Sequence, residues 1–142
     1  MAIYSIANRT SNVTIANANV ELRTTSTDRA RVMEIGIWMA AATASVVGIG
    51  RPGAIGVTPT SPQTVLAEDP GEPVGTVTTA LAWGTGPTVP ANFFRRANLP
   101  ATIGAGVILT FPRGLIVPVS GSIVNWNISA TGVMDVHHVM DE

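Results

Sequence analysis

The chain has no cysteine and no lysine, few aromatic residues and little charge of either sign. Each shortage closes off a class of protein. Without cysteine there is neither a disulfide framework nor a thiolate metal site, so all 142 residues depend on apolar packing, and the absence fits a reducing interior. That is feasible, because a domain of this size buries roughly two-thirds of the surface its unfolded chain exposes. Charged residues make up 12% of the sequence, where about 25% is usual. Eight basic residues, all arginine, face nine acidic ones for a formal net charge of −1, which offers no overall attraction to nucleic acid or to an anionic membrane. No hydrophobic run reaches the roughly 18 uninterrupted residues of a membrane-spanning helix; the most apolar window, residues 32–50, is broken by Glu34 and by glycine and threonine. Residues 1–8 lack the basic and apolar regions of a signal peptide, so synthesis and retention in the cytoplasm are the expectation.

What takes the place of charge is Thr, Ser, Asn, Gly and Ala, on a background that is 46% hydrophobic. A surface this neutral suits association with itself or with a larger assembly, since charge is depleted at interface centres and low net charge favours association. Along the chain, short apolar and β-branched runs end in Gly, Pro, Asn or Ser, the pattern of many strands joined by turns. Residues 2–7 and 13–22 read as a first pair of strands around a turn at 8–12. Residues 31–41 form the clearest strand, with Met33, Ile35, Ile37 and Met39 on one face and Val32, Glu34, Gly36, Trp38 and Ala40 on the other. A bend at 40–44 precedes a further strand at 46–49.

Residues 51–75 are dense in proline and glycine and read as a long surface loop with one short strand around 64–67. A strand at 76–83 and a second long loop at 84–105 follow. Residues 107–111, 114–117, 122–129 and 133–139 make four strands at spacings of roughly 8–12 residues, with turns at Pro112-Arg113-Gly114 and at 118–121. The expected fold is all-β: a single-domain antiparallel β-sandwich or jelly roll over residues 1–142, with long Pro/Gly-rich loops and an N-terminal arm over about residues 1–22.

No catalytic constellation emerges, and the chain does not read as an enzyme. A nucleophile needs a nearby base, and the two histidines, His137 and His138, are adjacent on a strand and so point to opposite faces. Asp135 and His137 share a face but have no visible third ligand, so no metal site is called. Glu68, Asp69 and Glu72 match no calcium-loop spacing and read as a solvated loop. Gly48-Ile49-Gly50 opens no helix, which leaves a tight turn or bulge rather than a phosphate cradle, and no cofactor is expected. The Asn-x-Thr/Ser triplets at Asn8, Asn12 and Asn127 read as turn residues.

The most unusual segment is Phe93-Phe94-Arg95-Arg96, where two aromatics adjoin two guanidiniums in a predicted loop. These residue types anchor protein interfaces. Phe93, Phe94, Arg95 and Arg96, with Arg51 and Arg113, are therefore the candidate protein–protein contact residues. Stacking on a nucleic-acid base would need a broader basic groove than Arg95, Arg96 and Arg113 supply, and the plain alternative is that one Phe covers the core edge while the arginines are solvated. Trp38, Trp83 and Trp126 lie in or beside predicted strands; core packing is the favoured reading and a sugar-stacking groove the other.

The stretches at residues 31–45 and 48–52, with Pro87-Thr-Val-Pro-Ala-Asn-Phe-Phe-Arg-Arg96, Leu99-Pro-Ala-Thr-Ile-Gly-Ala-Gly106 and Phe111-Pro-Arg-Gly-Leu115, cover 43 of the 142 residues. Together they resemble a recurring family of small tailed-bacteriophage virion proteins, and the small β-sandwich form resembles head decoration (cement) proteins. The resemblance implies a protein made in the host bacterial cytoplasm and carried on the capsid surface. There it would bridge neighbouring major capsid proteins and associate with itself as a homotrimer, with no direct nucleic-acid or membrane partner. Residues 1–22 and 51–75 are the expected contact arms. The alternative is a receptor- or carbohydrate-binding module of a head fibre or tail.

Overall fold

The computed structural model describes residues 2–11, 14, 16–129 and 132–142, and among them there is no helix. The strands are β1 (Ile3–Arg9), β2 (Ala18–Arg23), β3 (Ala30–Met39), β4 (Ser45–Gly50), β5 (Val57–Pro59), β6 (Gln63–Thr64), β7 (Leu66–Ala67), β8 (Thr78–Ala80), β9 (Trp83–Thr85), β10 (Arg95–Leu99), β11 (Gly106–Val117), β12 (Ser122–Ser129) and β13 (Met134–Asp141). They build an antiparallel β-sandwich. One sheet runs β11-β3-β13-β1-β7, the other β10-β4-β12-β2-β8-β6, and β5 pairs with β9 as a separate ribbon. The long strands alternate between the sheets, so neighbours within a sheet are never consecutive in the chain.

Period-two alternation explains why the sheets pack as they do. Ile35, Ile37 and Met39 of β3, Val136 and Met140 of β13, Val20 and Leu22 of β2 and Val47 and Ile49 of β4 all turn into one core between the sheets. The expected inward set of β3 needs one change. Val32 rather than Met33 is in the core, because the register slips there. Against β13 the pairing jumps from Glu34–Val139 to Val32–Met140, leaving Met33 as the extra residue of a bulge. On the other side β11 accommodates the same bulge by inserting Phe111, Pro112, Arg113 and Gly114 between its paired positions.

Several expected boundaries shift. Residues 107–111 and 114–117 are one strand, β11, in which Pro112-Arg113-Gly114 forms a bulge rather than a turn; proline is tolerated there because β11 is an edge strand. Gly114 adopts φ +67, and a Cβ at this position would lie 2.0 Å from the Arg31 side chain. The described part of residues 1–22 is built into the sheets and is not a draping arm. It supplies β1, held between β13 and β7, and most of β2, at the centre of the second sheet. Val13 and Ile15 of the expected second strand lie outside the described residues.

The 51–75 segment contains three short strands, not one. β6 pairs with β8 in one sheet and β7 pairs with β1 in the other, so the chain crosses between the sheets at Val65, which is buried. That crossing closes one long side of the sandwich.

Candidate functional site

The opposite long side, where the edge strands β10 and β11 lie next to each other, gathers most of the predicted contact residues. Arg95 and Arg96 are not in a loop but open β10, paired with Ile49 and Gly48 of β4. Alternation therefore splits them. Arg95 turns to the same side as core-facing Ile49, and its guanidinium lies 5.6 Å from the centre of the Phe111 ring. Arg96 turns to the outer side with Gly48 and is exposed. Arg51 sits 5.0 Å over the ring of Phe94 and donates a 2.6 Å hydrogen bond from Nη2 to the Ile116 carbonyl. Both cation–ring distances are within the roughly 6 Å at which the aromatic quadrupole attracts a cation. Arg113 is exposed on the β11 bulge and lines an open groove with Arg95, Phe111, Pro112 and Gly114.

Phe93 does not belong to this patch. It is half-buried against a second apolar cluster, Ala18, Val124 and Trp126, on the outer face of the β10-to-β6 sheet. Its ring lies where side chains at Gly48 and Gly50 would be: a Cβ on Gly48 would come 2.7 Å from Phe93, and one on Gly50 3.3 Å. Gly48-Ile49-Gly50 is thus neither a turn nor a cradle. It is a strand segment whose two glycines leave room for an aromatic lid.

Phe93 is part of a larger cover. The two Pro/Gly-rich stretches pair with each other through β5–β9 and through backbone hydrogen bonds between Gly53, Ala54 and Thr88, and they lie over the outer face of β2 and β12. Beneath them is Glu21, which the sequence reading did not single out and which is fully buried. Its carboxylate accepts from Trp83 Nε1 at 2.7 Å, Ser122 Oγ at 2.6 Å, Arg23 Nη1 at 3.1 Å and the Gly56 amide at 3.2 Å. A buried carboxylate is tolerated only with such partners. The signal available in the sequence was an acidic residue flanked by Val20 and Leu22, whose side chains face the core from the same strand.

The outer face of the other sheet is open. His137 donates from Nε2 to the Glu34 carboxylate at 2.8 Å and stacks on Trp38, with ring centres 4.9 Å apart and planes 27° apart. Asp135 accepts two hydrogen bonds of 2.7 Å from Arg9, and this hydrogen bonding holds its carboxyl below the usual carboxylate range. His138 points the other way, into the core, as adjacent strand positions require. Burial, then the neighbouring His137, pushes its pKa down to about 3, so it is neutral at ordinary pH. Neither of its ring nitrogens has a hydrogen-bond partner.

No group of three or more His, Cys, Asp or Glu residues able to share a metal ion occurs among the described residues. Of the asparagine triplets, Asn8 is buried and donates to Gln63 at 2.7 Å, Asn127 is buried on β12, and Asn12 lies outside the described residues. Trp126 is fully buried, while Trp38 and Trp83 are half-buried. No protein-family model matches the chain, and no curated protein matches it.

Proposed function

We propose that the chain is a structural virion protein that decorates a bacteriophage capsid and stabilises it by bridging neighbouring major capsid proteins. The observation that carries this reading is the β10–β11 edge. Arg51, Arg95, Arg96 and Arg113 enter none of the ion pairs among the described residues, and Arg51 and Arg95 lie over the rings of Phe94 and Phe111 where the edges of the two sheets meet. Arginine and aromatic side chains held on a rigid scaffold are what a protein neighbour grips most strongly. Two further features support the reading. Only 12% of the chain is charged, and we read the nested order β1-β13-β3-β11 facing β2-β12-β4-β10 as a jelly roll, an architecture that recurs in viral capsid domains. Its partners are the major capsid protein and further copies of itself, as a trimer on the capsid surface.

The experiment is rebinding. Purified protein mixed with capsids stripped of their decoration should co-sediment with them and raise the temperature at which they open; protein that ignores the capsids would end this reading. A second reading has one observation in its favour: Trp38, stacked on His137 on an open sheet face, offers a flat ring to a sugar. Jelly rolls also serve as lectins. A glycan array on which the protein stays at background would remove that alternative.

A further inference from the structure

Charges not paired inside the fold lie on opposite sides of the sandwich. Arg9 pairs with Asp135, Arg23 with Glu21, and His137 with Glu34. Arg29 and Arg31 share a cavity with Asp141 and Glu142, and Asp28 is held by the hydroxyls of Thr25, Thr27 and Thr76. What is left is Arg51, Arg95, Arg96 and Arg113 on one side, and Glu68, Asp69 and Glu72 on the other.

The two groups stand at the ends of a single transverse row. The Glu68 amide donates to the Ile3 carbonyl, Ile3 faces Asp141, Asp141 faces Arg31, Arg31 faces Ile116, and the Ile116 carbonyl takes the Arg51 guanidinium. From β7 to β11 that row crosses four strand spacings, about 19 Å at about 4.8 Å each. Each end also bares apolar surface. Leu66 is 70% exposed and Val74 82% exposed at the acidic end, and Phe94 is 38% exposed at the basic end.

We propose that a second copy of this chain docks here, its acidic β7 corner against the arginine-bearing β10–β11 edge of the first. Four cations meet three carboxylates, and apolar side chains lie among both sets. A two-fold dimer through either edge would set like charge against like, so the contact is head to tail and each copy keeps one edge free for the next. Such a contact closes into a ring or runs on as a chain. This inference rests on the decoration reading for its biological setting, but it concerns the self-contact alone.

Sedimentation equilibrium of the full chain tests it. Association should weaken as sodium chloride is raised from 0.05 to 0.5 M, because the contact is between exposed charges. Two charge-reversed proteins, E68R/E72R and R96E/R113E, should each show a dissociation constant raised by at least about tenfold. All four positions are exposed, so melting curves like those of the parent are expected. Mixed in equal amounts, the two variants should reassociate, since each then carries the edge the other needs. Self-association that ignores both salt and the reversals, or a parent that stays monomeric at every concentration, overturns the proposal, as does a mixture that fails to reassociate. Capsid rebinding measured in parallel separates the two ideas. Rebinding by a protein that does not self-associate would leave decoration standing and sink the edge contact, and edge-driven association without rebinding would do the reverse.

Discussion

The two outer faces of the sandwich are finished in opposite ways. On the β10-to-β6 sheet, Val124, Trp126 and Glu21 would be exposed were it not for the paired loops that bring Trp83, Phe93 and Gly56 over them. On the β11-to-β7 sheet no described segment covers the outer face of β3 and β13, and Glu34, Trp38, His137 and Asp135 meet solvent in small polar and stacked groups. The contrast teaches that the proline- and glycine-rich stretches at 51–60 and 83–94 are structural cover rather than free contact arms. Their length is used up in reaching across one sheet and satisfying a buried carboxylate. Surface for partners is then left on the open sheet and along the two edges.

Two glutamates, one on each face, test this contrast most severely. Glu21→Ala strips the hub from Arg23, Trp83, Ser122 and the Gly56 amide. It should cost about 3–5 kcal/mol and lower the melting temperature by roughly 10 °C or more. Glu34→Ala on the open face removes one partially exposed contact to His137 and should cost less than about 1 kcal/mol. Equal losses in a urea titration would show that the cover is not anchored through Glu21.

The layer between the faces supplies the next effect. His138 is buried and neutral, with its pKa lowered to about 3, whereas in the unfolded chain it takes up a proton near its ordinary value of about 6.5. The unfolded state therefore binds more protons between those limits. Stability should be full above about pH 6.5 and fall by as much as a few kcal/mol as the pH drops towards 3. Unfolding measured across that range should show the slope in the parent and a flatter one in His138→Leu. An unchanged slope would mean that the acid sensitivity comes from elsewhere.

Gly48→Val on the capped face should cost about 1–3 kcal/mol, because its side chain would meet both the Ile128 side chain and the Phe93 ring. Part of that loss should disappear in a Phe93→Ala background, with the Ile128 contact remaining, a non-additivity that chemical unfolding can read directly. The smallest change is expected from Arg9→Ala on the open face. Its pair with Asp135 is exposed on both sides, so the loss should be smaller than for any change above and should vanish at high salt.

Much of the scaffold was legible because strand alternation is a local property. Residues 122–129 match β12 residue for residue, and the inward set Ile35, Ile37 and Met39 follows from period two alone. The same rule fails at Met33, where neighbouring strands slip their register; no local pattern reports that, since it depends on Phe111 to Gly114 some eighty positions away. The candidate site was half legible. Phe94 and the four arginines were picked out by residue type, but Phe93 shares that type and is a lid for Gly48 and Gly50. Phe111, which carries Arg95, looked like one more strand residue.

Composition and alternation alone decide that this chain is a β protein without disulfides, weakly charged and built from many short strands. These properties need only the backbone and the nearest neighbours in the chain. Which loop becomes a cover, which carboxylate is buried beneath it and which arginines are left out of the ion pairs among the described residues are set by strands that pair across long separations. Those outcomes arise only when the sheets close, because burial and charge pairing depend on what lies opposite in space.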